Sequence, residues 1–96
     1  MIITIKGRRI ETGNVVFTVN DRPVHHVVRH SPTGMEYGYG GSGPSDAARS
    51  ILLTVLPSDQ ADKYYMQFKW DFVANWKGNE VEDTIDLGAW IAKQGG

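Results

Sequence analysis

The sequence predicts an α+β domain: a small antiparallel sheet made of N-terminal strands and a hairpin, with two central helices packed on one face and a short C-terminal strand and helix. Three observations predict this class. Period-two apolar alternation is confined to the N-terminal part, helical periodicity begins near residue 44, and turn residues rather than a linker separate the two. The 96 residues are expected to form one domain, residues 1–96.

The strands are predicted from apolar alternation and turn chemistry. Ile3 and Ile5 alternate with polar neighbours, and a hairpin follows in which VVFTVN pairs with VHHVVRH across the turn at residues 20–23. In the second arm, His26 shares a face with Val24 and Val28, and Arg29 lies on the other face. Residues 35–39 predict one further short strand.

The first helix is predicted from Pro44 to Pro57, with Asp46 near the positive end of its dipole. The second is expected to start at a Ser58 cap and to end at residues 78–79. It carries two apolar stripes, which indicate burial on two sides. The stripes are Ala61, Tyr65, Phe68, Phe72, Trp76 and Met66, Trp70, Val73. VEDTI predicts a last strand, and Asp86 a cap for a short helix.

Composition excludes several classes of protein. There is no Cys, so disulfides and thiolate metal sites are absent, and no apolar run is long enough to span a membrane. We therefore expect a cytoplasmic location, which would be the host cytoplasm for a phage-encoded protein. The net charge of −1 is not the basic excess of a nucleic-acid-binding domain. However, all five arginines and all three histidines lie within residues 1–49, so one face is expected to be locally positive.

Glycine is concentrated in YGYGGSGPSD, residues 37–46, where Gly38, Gly40 and Gly43 have the spacing G-x-G-x-x-G. The segment follows a predicted strand and opens a predicted helix, the context in which free backbone N–H groups bind phosphate. The expected ligand-binding residues comprise backbone donors, a hydroxyl donor, a phosphate clamp and contacts from the hairpin and loop. They are Gly40, Gly41, Ser42 and Gly43; Ser45; Arg49; and His26, Arg29 and Tyr39.

Three departures exclude the enzymes that use similar loops. A second helix follows the first where a dinucleotide-binding unit needs a parallel strand. Pro44 stands where a nucleotide-hydrolysing P-loop needs lysine, and it also replaces the last glycine of G-x-S-x-G around Ser42. No nucleophile and base are aligned by spacing, so we expect a non-enzymatic protein with no cofactor. The loop could equally be a turn whose glycines allow positive φ.

The histidines do not predict a metal site. His26 and His30 would lie about 13 Å apart along a strand, too far to share one ion. His25 and His26 would point to opposite faces. We expect no metal, and an exposed imidazole could instead help to hold an anion.

The glycine segment and a later motif resemble a family of small uncharacterised proteins from bacteria, archaea and their phages, a domain of unknown function. The shared pattern is an aromatic-Gly-Tyr-x-Gly-Ser-Gly-Pro segment, present at residues 37–44, followed by a helix and a Phe-Lys-Trp-like motif at residues 68–70. The resemblance covers roughly residues 1–90. It implies a phage or mobile-element setting and supplies no activity and no established site.

Two functions from different classes remain open. The first is a binding module that holds, and could sequester, a phosphorylated small ligand such as a nucleotide signal, in a pocket that a homo-oligomer would complete. The second is a protein-interaction module that inhibits a host defence protein, with exposed aromatic residues as hot spots and the glycine loop purely structural. The candidate aromatic residues are Tyr37, Tyr39, Tyr64 and Trp70. Neither function requires nucleic acid or a membrane.

Overall fold

The computed structural model describes residues 1–95 and contains one four-stranded antiparallel sheet. The strands are β1 (Ile2–Arg9), β2 (Val15–Val19), β3 (Arg22–Pro23) and β4 (Glu80–Asp86), in the order β3-β2-β1-β4. The helices are α1 (Ser42–Val55), α2 (Ser58–Asp71) and α3 (Leu87–Ala92), with a short 3-10 turn at Val73–Asn75. The predicted α+β class is confirmed.

The sheet buries one face, as the alternation predicts. On β1 and β2 the odd-numbered apolar side chains point inward and are at most 6% exposed, and they are Ile3, Ile5, Val15, Phe17 and Val19. Gly7 lies on the same face, beside the Phe17 ring. A Cβ there would be only 2.7 Å from that ring, so a larger residue would not fit. Helix α1 packs against β2, α2 packs against α1, and α3 contacts β1 and β4. The opposite face of the sheet carries exposed side chains such as Ile2 and Val16.

The hairpin turn is tighter than predicted. Asn20 and Asp21 have φ values of 50° and 67°, so these two residues alone reverse the chain, and Arg22 and Pro23 already pair with β2. The Asn20 side chain accepts the Thr4 N–H at 2.9 Å and fixes the turn against β1.

The predicted strand VHHVVRH is wrong, because β3 ends at Pro23. The backbone N–H of Val27 donates to Ser50 Oγ, and the N–H groups of Arg29, His30 and Ser31 donate to the Asp46 carboxylate. These four N–H groups are therefore bound to side chains of α1, whereas the Val24 N–H still donates to Phe17 O of β2. We call residues 24–31 the extended segment.

The predicted strand at residues 35–39 is also wrong. Met35 and Tyr37 are buried as a strand would bury them, but Gly38 has φ +92° and turns the chain toward α1. The Gly38 N–H donates to Val73 O at 3.0 Å instead of to a strand.

The second helix is shorter than predicted. It ends at Asp71 because Phe72 has φ −128° and ψ −67°, and Trp76 lies beyond the 3-10 turn in extended backbone. Met66 and Trp70 are 44% and 54% exposed, so the predicted second buried stripe is wrong at these two residues, and only Val73 of the three is buried. The Ser58 cap is also wrong, since Pro57 occupies the N-cap and Ser58 is the first helical residue.

The C-terminal predictions are confirmed. The Asp86 carboxylate accepts the Ala89 N–H at 3.1 Å and so caps α3. Trp90 on α3 closes an aromatic cluster with Phe68 and Phe72, with ring centroids 4.9 to 5.7 Å apart. Among the described residues, no helix is both long enough and apolar enough to cross a membrane.

Candidate functional site

The glycine segment is anchored to the core at its start. Tyr37 is 5% exposed, and its ring packs edge-on against Phe17 and Trp76. Its hydroxyl donates to Gly78 O. Arg9 on β1 holds the preceding Glu36 through two hydrogen bonds, of 2.7 and 2.9 Å. Tyr37 is therefore a core residue, and the prediction that it is an exposed hot spot is wrong.

Three glycines of the segment are required by the side chains that lie against them. A Cβ on Gly40 would overlap the Trp70 ring, and a Cβ on Gly41 would lie 2.5 Å from Cε2 of Tyr39. A Cβ on Gly43 would lie 2.8 Å from the Glu36 Cβ. The glycines thus allow two aromatic rings and one carboxylate side chain to rest directly on the backbone.

The first turn of α1 is held by hydrogen bonds among its own residues. Gly41 occupies the N-cap, and its carbonyl accepts both the Ser45 N–H and the Ser45 hydroxyl at 3.1 Å. The Lys69 ammonium group of α2 donates a hydrogen bond to the Gly40 carbonyl, with an Nζ to O distance of 3.2 Å. Within residues 1–95, no hydrogen bond uses the N–H groups of residues 40–43 as donors. These N–H groups are the feature on which the predicted anion site depends.

Arg49, the predicted phosphate clamp, is engaged inside the protein. Its Nε donates to Asp62 Oδ1 at 2.6 Å across the contact between α1 and α2, and its side chain is only 10% exposed. Arg29 donates to the same oxygen at 3.2 Å. The hydrogen bond from Arg49 lowers the pKa of Asp62, which stays ionised beside both arginines. An anion at this point would have to compete with Asp62.

His26 lies beside α1, where the Asp46 carboxylate holds it. The His26 Nε2 to Asp46 Oδ2 distance is 2.8 Å, and the carboxylate also accepts three N–H groups of the extended segment. Burial raises the pKa of Asp46, but the hydrogen bonds from His26 and from the backbone lower it below its ordinary value. From the sequence, Asp46 is expected only to interact with the helix dipole. Its complete burial is visible only in the structure.

Two of the four candidate aromatic residues are exposed beside the glycine loop. Tyr39 is 52% exposed and Trp70 54% exposed, whereas Tyr64 is partly buried against Trp90. Met66, one turn before Trp70 on α2, is 44% exposed, and its sulfur lies 4.0 Å from the Ser45 hydroxyl. We call Tyr39, Met66 and Trp70 the aromatic patch. Sequence reasoning missed Met66 because it was placed in a buried stripe.

The Trp70 ring is held in position by Lys69 and Gly40. The Lys69 ammonium lies 4.2 Å from the centroid of its ring, and Lys69 itself is 4% exposed. The same ammonium bonds to Gly40 O, and the Trp70 ring rests on Gly40. The patch and the glycine loop are therefore one continuous structure. Among residues 1–95, no group of three or more His, Asp or Glu side chains is placed to hold a metal ion.

A family model matches residues 5–93 of the chain. The chain belongs to a family of unknown function (DUF6166). The match begins within β1 and ends after α3, so the glycine loop and the aromatic patch both lie inside the DUF6166 domain. Neither a curated protein nor a solved structure matches the chain significantly.

Proposed function

We propose that this DUF6166 protein is a non-enzymatic protein-interaction module that docks through the aromatic patch. The observation that carries the proposal is the exposure of Tyr39, Met66 and Trp70 around a loop whose glycines admit the two rings. Trp and Tyr dominate the binding energy of many interfaces because they bury a large area with few rotatable bonds. Contacts with Gly40 and Lys69 already hold the Trp70 ring, so binding would cost little side-chain entropy.

The partner expected at this surface is a protein with an apolar cleft, into which the Trp70 ring inserts. The rim would be polar, since Ser42 and Gln67 are exposed beside the patch residues in the chain. In the phage or mobile-element setting that the family resemblance implies, the partner would be a host defence protein in the host cytoplasm.

The test is affinity capture with paired variants. The chain would be immobilised and exposed to bacterial lysate, and any captured protein would be purified for a direct binding measurement. The double variant Tyr39→Ser/Trp70→Ser should weaken that binding by about a hundredfold or more, the usual effect of removing two hot spots. Ile2→Ser/Val16→Ser removes two exposed apolar residues from the outer sheet face and should bind like the wild type.

Thermal unfolding of both double variants verifies that each is folded. Equal loss of binding in the two variants, or none in either, would contradict the proposal. A captured protein that the wild type does not bind after purification would count against it as well.

A phosphorylated small ligand is the second candidate, favoured by the N–H groups of residues 40–43 that donate to no group in residues 1–95. Gly40, Gly41, Ser42 and Gly43 would supply these donors, and Arg49 would have to exchange Asp62 for the ligand. Calorimetry against inorganic phosphate and a panel of linear and cyclic nucleotides tests this. Binding heat that Arg49→Ala abolishes in a folded variant would favour the ligand over the protein partner.

A further inference from the structure

The free edge of the sheet lies at β4, which has β1 on one side and no strand on the other. Its register with β1 shows which backbone groups face the open edge. Arg9 N–H donates to Asn79 O, and Leu87 N–H donates to Met1 O, so the odd-numbered residues of this segment bond to β1. The even-numbered residues of β4 therefore direct their N–H and C=O groups outward. These are Glu80, Glu82, Thr84 and Asp86.

Three of these residues, Glu80, Glu82 and Thr84, face an edge with which no strand within residues 1–95 pairs. Asp86 differs because it is the N-cap of α3, where the C=O accepts the first hydrogen bond of the helix. An unpaired strand edge is a template for a further strand, because each outward N–H and C=O can bond to an extended segment. The seven residues of β4 offer three such positions, Glu80, Glu82 and Thr84.

The side chains at the same positions set the charge of the edge. Glu80, Glu82 and Asp86 are exposed on the outer sheet face, where Glu80 and Glu82 are two residues apart and Thr84 separates Glu82 from Asp86. None of the ion pairs within residues 1–95 includes them, and Lys6, opposite Glu82 in the register, lies nearer to Asp21 at 3.9 Å. Arg8 lies opposite Glu80 as Lys6 lies opposite Glu82, but neither pair is an ion pair within residues 1–95. Since Asp86 caps α3, Glu80 and Glu82 are the two carboxylates left to meet a partner beyond the edge.

A second copy of the chain does not fit this edge. A symmetric pair of β4 strands would run antiparallel and would place even-numbered residues opposite even-numbered residues. Every such register brings carboxylates face to face or leaves them on adjacent positions, which is destabilising. The same charges favour a strand with Lys or Arg at alternate positions.

We propose that the β4 edge binds an extended segment of another protein, which adds a fifth strand and places alternate Lys or Arg side chains opposite Glu80 and Glu82. Main-chain hydrogen bonds supply the affinity, and the two carboxylates select a basic segment over a neutral or acidic one. This surface is separate from the aromatic patch, so the proposal stands or falls independently of the proposed function.

The probe is a synthetic peptide of alternating Lys and Val, with an alternating Glu-Val peptide of equal length as the control. Titration is followed by amide chemical shifts and hydrogen exchange of the isotope-labelled chain. The Lys-Val peptide should shift and protect the Glu82 and Thr84 amides saturably. The Glu-Val peptide should bind at least about tenfold more weakly, because its carboxylates would lie opposite the like charges of Glu80 and Glu82.

Two variants separate strand addition from simple charge attraction. Glu80→Lys/Glu82→Lys should reverse the preference and bind the Glu-Val peptide more tightly. A Lys-Val peptide that is N-methylated at alternate residues keeps its charge but loses its edge donors, so it should bind at least about tenfold more weakly. Equal binding of the methylated peptide, or no saturable shift at Glu82 and Thr84, would overturn the proposal. The Tyr39→Ser/Trp70→Ser variant should bind the Lys-Val peptide as the wild type does.

Discussion

The two long helices have the same length and opposite surroundings. Both α1 and α2 have 14 residues, but α1 buries ten consecutive residues, Gly43–Leu52, whereas α2 buries four. Helix α1 is enclosed by the sheet, by α2 and by the extended segment, and α2 is covered on one side only. A fully enclosed helix must satisfy each polar side chain internally. A half-covered helix can leave polar and aromatic side chains on its open side for a partner.

The contrast assigns different roles to the two helices. In α1, Asp46, Arg49 and Ser50 are buried, and each is hydrogen-bonded to another element. In α2, Met66 and Trp70 are exposed and form most of the aromatic patch. Substitutions of the buried polar residues of α1 should therefore lower the stability of the fold. Substitutions on the open side of α2 should alter the surface that a partner would contact and leave stability nearly unchanged.

The largest expected effect is at Asp46. Asp46→Asn replaces a carboxylate oxygen with an NH2 group that faces N–H donors, so His26 and the extended segment lose acceptors in a buried place. We expect a loss of about 3 kcal/mol in the free energy of unfolding, since buried charge-assisted hydrogen bonds are costly to break. For a chain of this size, the unfolding midpoint should fall by more than about 10 °C in a thermal melt.

Asp59→Asn is the matched control, because Asp59 lies in the first turn of α2 and is exposed. It removes a charge near a helix dipole and should cost no more than about 1 kcal/mol. Similar losses in the two variants would contradict the distinction between an enclosed and an open helix.

The glycines at the start of α1 sharpen the same comparison. Gly43→Ala meets the Glu36 Cβ at 2.8 Å, and this atom can move only with the backbone, so we expect a loss of about 1–3 kcal/mol. Gly40→Ala meets the outer edge of the Trp70 ring, which belongs to α2 and is 54% exposed. The exposed edge of that ring can tilt into solvent at the cost of its contact with Lys69, so the loss in stability should be below about 1 kcal/mol.

Urea unfolding measures both costs, and tryptophan fluorescence reports the ring. The emission of Gly40→Ala should change because Trp70 shifts, while Trp76 and Trp90 are each 8% exposed and stay in place. The comparison fails if Gly40→Ala is the more destabilising variant.

The fold could be predicted where burial follows local periodicity. The alternation of Ile3 and Ile5 and the apolar spacing from Ala47 to Leu56 place β1, β2 and α1 correctly, because neighbouring residues alone determine which side faces the core. The extended segment alternates in the same way, yet its N–H groups bind Asp46 and Ser50. Hydrogen bonds to residues so distant in the chain leave no periodic trace, so sequence reasoning predicts a strand there.

The candidate site could be predicted in part. The glycine spacing correctly indicates a loop that opens a helix, and Tyr39 and Trp70 are among the predicted aromatic residues. The ion pair between Arg49 and Asp62 depends on how two helices pack, which their separate patterns do not specify. Met66 is missed because the apolar periodicity continues past Asp71 and so predicts a longer helix that is buried on two sides. The structure ends α2 at Asp71, where Phe72 leaves helical geometry, and leaves Met66 exposed.

The smallest expected effect concerns acid sensitivity. Asp46, Glu36 and Asp62 all have a lowered pKa in the folded chain, so the unfolded chain binds more protons as the pH falls. Their contribution to stability is present above the ordinary carboxyl pKa of about 4 and is lost as the pH falls through the lower, folded values. Unfolding free energies measured from pH 7 to pH 2 should therefore decline mainly below about pH 4.

The two helices should divide this decline unequally. Asp62→Asn removes a carboxylate whose side chain is 40% exposed, so solvent already screens its pairs with Arg49 and Arg29, and the slope below pH 4 should change little. Asp46→Asn removes the enclosed carboxylate and should flatten the slope clearly. Added salt should reduce the already small contribution of Asp62 and leave that of Asp46 nearly unchanged. Equal flattening by Asp62→Asn and Asp46→Asn would contradict the contrast between the two helices. The partly exposed Asp62 carboxylate would then contribute as much to acid stability as the buried Asp46 carboxylate.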